Sequence, residues 1–336
     1  MDDPGETRSR PAAAGLALRL PTPVTEVRDE RLRGVRLFLK RDDLLHPELP
    51  GGKWRKLRHN LAEADRQGHH TLLTFGGAYS NHLRAVAAAG HHFGFATVGV
   101  VRGEPYEPLN PSLAFAAARG MRLTYLDRAA YRAKDTPGVL AGLHERWGDF
   151  YLLPEGGSNA WAVRGCAELP AELDAQLAPA GVPDQAGFDV IACACGTGGT
   201  LAGLAAGLGP GRRALGFPVL KGGAFLAGEV RRLQVAAYGA PAGDWTLDHR
   251  FHFGGYARRT RELDDFTDDF AGRHGVRLDR VYVAKMMAGL FAHAAQGSFP
   301  PGTRVVALVS GPAADPSWDG RPPPRGPAAR RANPVG

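Results

Sequence analysis

Two hydrophobic rhythms alternate along this chain. Residues 71–75, 96–101, 122–126 and 151–153 are short apolar runs bounded by polar or glycine-containing turns, the pattern of buried strands. Between them the apolar positions recur three and four apart. Leu83, Val86 and Ala87 share one helical face, a second helix is predicted over 112–119, and a third precedes Trp147. The rhythm resumes with a strand over 189–195, a small-residue helix over 200–208, a strand over 214–220, helices near 225–233 and 262–274, and a late strand over 304–309. Strands separated by helices predict an α/β fold with mostly parallel sheets, since parallel neighbours need a crossover between them. No internal repeat is visible. The predicted organisation is a smaller α/β domain over 55–160, inserted in a larger domain built from 1–54 and 161–318, with 319–336 as a tail.

Composition narrows the class. With 336 residues, 44% hydrophobic and 22% charged, the chain can form two ordinary globular cores. No window approaches the roughly 18 unbroken apolar residues of a membrane span. The start, Met1-Asp2-Asp3-Pro4-Gly5-Glu6, is acidic where a signal peptide is basic, so a cytoplasmic location and no membrane partner are expected. Three cysteines, Cys166, Cys193 and Cys195, are too few for a disulfide framework. Cys193 and Cys195 point to the same side of a strand, but no second ligand pair lies nearby in sequence, and no metal is expected. The net charge of +7 raises nucleic acid as a partner. Much of it sits in 319–336, where four arginines and several prolines face a single aspartate. A solvated, disordered basic tail accounts for that charge without nucleic acid.

Candidate chemistry sits at three turns. Lys53 follows Gly51-Gly52 and precedes Leu57 and Leu61 at helical spacing, which places it in the first turn of a helix after a glycine turn. There the positive end of the helix dipole favours the neutral amine, the form that makes a Schiff base; a solvated surface lysine is the simpler alternative. Gly196, Thr197, Gly198, Gly199 and Thr200 end a strand and open a helix, so backbone amides can crowd an anion there. This stretch has neither the Lys-Ser/Thr ending of a nucleotide triphosphate loop nor the dinucleotide fingerprint. A ligand-free strand-to-helix turn would have the same composition. Ser80-Asn81-His82 caps the next helix, and its free amides suit a carboxylate. Glu155-Gly156-Gly157-Ser158-Asn159 repeats that polar turn type.

Taken with Leu39-Lys40-Arg41-Asp42-Asp43-Leu44, Gly52-Lys53-Trp54-Arg55-Lys56-Leu57 and Arg280-Val281-Tyr282-Val283-Ala284-Lys285, these segments closely resemble the 1-aminocyclopropane-1-carboxylate deaminase/D-cysteine desulfhydrase family, from about Leu39 to Pro312. The resemblance implies a tryptophan synthase β-subunit-like fold (fold type II) with two open twisted, mostly parallel sheets flanked by helices. It also implies pyridoxal 5'-phosphate as cofactor, a small amino-acid substrate and a homodimer. By the same resemblance Lys53 is the Schiff-base lysine, residues 196–200 hold the phosphate, and Asn81 bonds the cofactor's phenolic oxygen. Ser80 lies at the substrate carboxylate, Tyr256 and Tyr282 are active-site tyrosines, and Ser310 stands beside the pyridine nitrogen.

The departures are specific. The family usually has Asn before the lysine where this chain has Gly52, so an orienting side chain is missing. Cyclopropane deaminases carry Glu after the second tyrosine and Leu near the pyridine nitrogen, where this chain has Val283 and Ser310. The implied activity is a lyase that eliminates the β-substituent of a small amino acid, D-cysteine first, giving pyruvate, hydrogen sulfide and ammonia. Deamination of 1-aminocyclopropane-1-carboxylate comes second, and cofactor binding with little catalysis is the alternative of another class.

Overall fold

The computed structural model describes residues 16–105, 107–177 and 187–311; the proposed tail over 319–336 lies outside the described residues. In chain order the strands are β1 Val24–Val27, β2 Arg36–Lys40, β3 Thr71–Gly77, β4 Ala96–Arg102, β5 Met121–Leu126, β6 Tyr151–Leu153, β7 Val190–Cys195, β8 Arg213–Pro218, β9 Asp244–Leu247 and β10 Arg304–Leu308. The helices are α1 Gly51–Arg66, α2 Asn81–Phe93, α3 Pro111–Ala118, α4 Arg128–Arg132, α5 Pro137–Trp147, α6 Ala160–Cys166, α7 Leu169–Leu177, α8 Gly199–Ala206, α9 Leu226–Tyr238, α10 Arg261–His274 and α11 Val283–Ala295.

Two sheets result. The four-stranded sheet, in the order β5-β4-β3-β6, is parallel throughout and lies wholly between Thr71 and Leu153. The six-stranded sheet, β1-β2-β10-β7-β8-β9, draws strands from both flanks and is parallel except for the β1–β2 edge pair. Strands buried on both faces explain why the central ones are near-continuous apolar runs. β1, β2, β9, α4, α6, α7 and α11 lie outside the sequence expectation. β1 and β9 are short edge strands of mixed polarity, whereas α11 is a mostly apolar, largely buried helix.

Helix α1 connects the two parts of the structure. Trp54, Leu57, Leu61 and Ala64 join the apolar cluster on the four-stranded sheet. Arg55 lies on another face, buried against Asp42 with bonds of 2.7 and 3.0 Å, and it also reaches Glu172 on α7. Lys40, fully buried at the end of β2, adds bonds to Glu172, Gln176 and the Thr22 carbonyl. Five buried or half-buried polar side chains thus fix the start of α1 to the six-stranded sheet.

Candidate active site

Gly51 and Gly52 belong to the first turn of α1, not to a turn that precedes it. Their small size is used for contact: a Cβ on Gly51 would fall 2.7 Å from Asp42 Cγ, and one on Gly52 would fall 2.6 Å from Ser310 Cβ. Neither glycine has a positive φ. Close packing therefore seats the Ser310 backbone, at the end of β10, directly against the residue before Lys53. Lys53, Lys56 and Asn60 follow at helical spacing along the side of α1 that meets the Gly156–Asn159 turn. Enclosure by protein first, then the nearby Lys56 charge, pushes the Lys53 amine down to about 7.

Ser80 is the N-cap of α2, its Oγ accepting from the main-chain N–H groups of His82 and Leu83 at 3.2 and 3.3 Å. The capping role and a carboxylate role are compatible, because the hydroxyl hydrogen is still available to donate. Asn81, the first residue of α2, lines the same cleft. Next to it His82 is 2% exposed, its ring enclosed against the Pro154–Gly157 turn. Burial first, then the charges of Lys53 and Lys56, hold this imidazole neutral. Gly157, at φ +68°, passes so close that a Cβ would meet His82 Cε1 at 2.7 Å.

Residues 196–200 form a cup between β7 and α8. Gly198 adopts φ +79°, and Gly199 opens the helix. A Cβ on Gly199 would fall 2.5 Å from Ser158 Oγ, whose hydroxyl lies 2.6 Å from Thr197 Oγ1. Lys56 was not among the sequence candidates. Its Nζ donates to Ser158 Oγ at 3.1 Å and to the Gly156 carbonyl at 3.3 Å, and it would stand 3.2 Å from a Cβ on Gly199. The cup thus combines a helix N-terminus, the Thr197 and Ser158 hydroxyls and one ammonium, a donor set suited to a dianionic phosphate. The only sequence signal for Lys56 was its three-residue spacing from Lys53, which puts both on one side of α1. Asn60 ties this side to the opposite turn, accepting from Asn159 Nδ2 at 2.6 Å and from the Tyr151 hydroxyl at 3.1 Å.

Two tyrosines close another wall. Tyr256 and Tyr282 meet edge to face, with centroids 5.9 Å apart and hydroxyl oxygens 3.3 Å apart. Tyr282 is fixed from below by Asp279, whose carboxylate accepts from the N–H of Tyr282 at 2.7 Å and of Val283 at 3.0 Å. Its ring also lies against Gly196, where a Cβ would stand 3.3 Å from Cε1. Burial, with the facing Tyr256, pushes the Tyr282 phenol well above its ordinary range. Asp279, too, was missed; it lies three residues before the N-cap Tyr282 and four before the first residue of α11.

All the predicted positions line one cleft of about 2030 Å³: Lys53, Ser80, Asn81, Gly196, Thr197, Gly198, Thr200, Tyr256, Tyr282 and Ser310, with Gly199 against its wall. The arrangement offers a near-neutral amine, a phosphate cup and a carboxylate-sized turn in one place.

Comparison with known proteins agrees with this chemistry. Residues 17–311 match the family model described as pyridoxal-phosphate dependent enzyme. A putative 1-aminocyclopropane-1-carboxylate deaminase of Thermotoga maritima is 32% identical over 284 residues, covering 80% of this chain and 88% of that protein. The bifunctional, mitochondrial D-cysteine desulfhydrase/1-aminocyclopropane-1-carboxylate deaminase of Arabidopsis thaliana is 31% identical over 285 residues, covering 81% of this chain and 71% of its own length. A crystal structure of an ACC deaminase homologue superposes with a TM-score of 0.75 at 26% identity, covering 88% of this chain and 90% of that one. With a matching fold, a family model spanning both sheets and a cleft that suits the cofactor, the chain belongs to the pyridoxal-phosphate dependent enzymes.

Proposed function

We propose that this enzyme is a lyase that removes the β-substituent of a small amino acid, with D-cysteine as first substrate and pyruvate, hydrogen sulfide and ammonia as products. The observation that carries the reading is the placement of Lys53 between the Ser80–Asn81 turn and the cup at 196–200, all on one cleft. When bound, pyridoxal 5'-phosphate supplies an electron sink that acidifies the substrate Cα–H bond. Lys53 is the residue that holds the cofactor and moves the Cα proton, and an amine near neutrality suits that task. Thr197, Ser158, Lys56 and the amides of 198–200 hold the phosphate, Asn81 the phenolic oxygen, and Ser310 the ring nitrogen. Ser80 donates to the substrate carboxylate.

In the elimination the Cα–H proton passes to Lys53, a Cα–Cβ double bond forms, and the Cβ–S pair leaves as hydrosulfide. Hydrolysis of the resulting enamine gives pyruvate and ammonia. Tyr282, its phenol pushed well above its ordinary range, is poorly suited to act as a nucleophile. That property, with Val283 and Ser310 at their positions, favours D-cysteine over ring opening of 1-aminocyclopropane-1-carboxylate.

The reading includes a smaller domain over 55–160 within a larger one, a homodimer, a cytoplasmic setting and no nucleic-acid partner. Three free, buried cysteines support a reducing compartment, and no helix among the described residues is long and apolar enough to cross a membrane. Absorbance of the purified holoenzyme, then a panel of D- and L-amino acids scored for pyruvate and 2-oxobutyrate, tests the proposal. Higher kcat/KM with 1-aminocyclopropane-1-carboxylate than with D-cysteine overturns the order of substrates. Cofactor absorbance without turnover on any member of the panel overturns the lyase reading.

A further inference from the structure

Lys285, on the first turn of α11, is fully buried; the Asp279 carboxylate is near enough to favour its charge but accepts no hydrogen bond from it. Its Nζ donates to three main-chain carbonyls instead: Gly255 at 2.7 Å, His252 at 2.9 Å and Val219 at 3.4 Å. Burying an ammonium is costly, so the group must be held by full use of its donors. An ammonium with three donors and three converging carbonyls meets that condition.

Two of the carbonyls, those of His252 and Gly255, belong to a turn that needs holding. Between His252 and Arg258, Phe253, Gly254, Gly255 and Ala257 all have positive φ, at +47°, +88°, +117° and +54°. Two of these are not glycine, and each costs on the order of 1 kcal/mol in that region. The turn carries Tyr256, which is 49% exposed and meets Tyr282. The third carbonyl, Val219, follows β8, so one cation joins the turn, the six-stranded sheet and the helix that carries Tyr282.

We propose that Lys285 is a positioning residue, a tethered cation that holds the strained 252–257 turn and thereby sets Tyr256 against Tyr282. The part concerning turnover rests on the reading of Tyr256 as an active-site group; the hold on the turn does not. Lys285→Met fills the volume without the charge, while Lys285→Ala leaves a carbonyl-lined space the size of a small monovalent cation.

The test uses both variants and Tyr256→Phe as holoenzymes. In Lys285→Met, amide hydrogen exchange across 253–257 should speed up, and turnover of D-cysteine should fall by about tenfold or more, the scale of losing charged hydrogen bonds. Potassium or methylammonium should restore several-fold of the lost turnover and the exchange protection in Lys285→Ala, and neither in Lys285→Met. Wild-type exchange across 253–257 in Lys285→Met, or failure of both cations to restore protection in Lys285→Ala, overturns the proposal. Should Lys285→Ala fail to fold, the exchange result with Lys285→Met decides alone. Full turnover in Tyr256→Phe overturns the role of Tyr256 and leaves the exchange readout to judge Lys285.

Discussion

Gly52 and Ser310 are in direct contact across the active-site cleft's floor: a side chain begun at Gly52 would place its Cβ 2.6 Å from Ser310 Cβ and 3.1 Å from the Ser310 carbonyl oxygen. Sequence comparison by motif suggests an absent amide at this position. The packing gives the glycine a different meaning, since the end of β10 occupies the space such a side chain would need. Residues 52 and 310 therefore constrain each other.

Gly52→Asn should lower both stability and cofactor occupancy. Overpacking at a tight backbone contact costs about 1–3 kcal/mol, and the displaced atoms are those of Ser310 and the first turn of α1. Denaturant midpoints and cofactor titration measure the two effects. The double variant Gly52→Asn/Ser310→Gly should recover part of the stability, a coupling expected only for residues in contact. Unchanged stability in the single variant would show that β10 yields there.

Lys56→Met should weaken cofactor binding by about tenfold or more, because the phosphate cup loses its one ammonium and Ser158 loses a donor. Gly198→Val should weaken it as well through the backbone, since φ +79° disfavours a β-branched residue and Val230 stands 3.1 Å from the new Cβ. Titration of each apoenzyme with pyridoxal 5'-phosphate, followed by absorbance, separates the two. Affinity at the wild-type level in Lys56→Met would remove this lysine from the cup.

The central strands were legible because parallel strands buried on both faces are written as unbroken apolar runs, as in residues 190–195. The turns at 80–82 and 196–200 were legible for a related reason: turns into helix starts demand small or capping residues. Lys56, His82 and Lys285 were not. Each gains its meaning from a segment far away in sequence, such as Gly156 and Ser158 for Lys56 or Val219 and Gly255 for Lys285. Gly52 was misleading for the same reason, its neighbour being 258 positions later.

The Asp42–Arg55 pair should prove costly to break. Both side chains are buried, Thr22 Oγ1 adds a 2.7 Å bond to Asp42, and Glu172 completes the cluster. Removing one member of a buried ion pair leaves an uncompensated charge, at a cost of about 3–5 kcal/mol. Arg55→Leu should therefore lower the denaturant midpoint markedly. Because Asp42 also packs against Gly51, Lys53, the proposed cofactor lysine, should be misplaced in whatever fraction folds. A loss of stability below about 1 kcal/mol would show that the cluster is solvated in solution.

Lys53 offers a prediction in pH. Its folded-state value of about 7 lies below the ordinary 10.5, burial being the larger cause and Lys56 the next. Between those two values the unfolded chain binds a proton that the folded apoenzyme does not, so stability rises with pH through that window and is insensitive to this group below about 7. Relative to Lys53→Met, the apoenzyme should gain stability from pH 7 towards pH 10. Cofactor capture needs the free amine, so its rate should climb through a midpoint near 7 and then level off. Removing the neighbouring charge in Lys56→Met should move that midpoint upwards, measured at saturating cofactor so that the weaker phosphate site does not intrude. A midpoint that stayed near 10 in the wild type, or one that moved downwards in Lys56→Met, would mean that Lys53 is solvated and that the two lysines do not share the floor of one cleft.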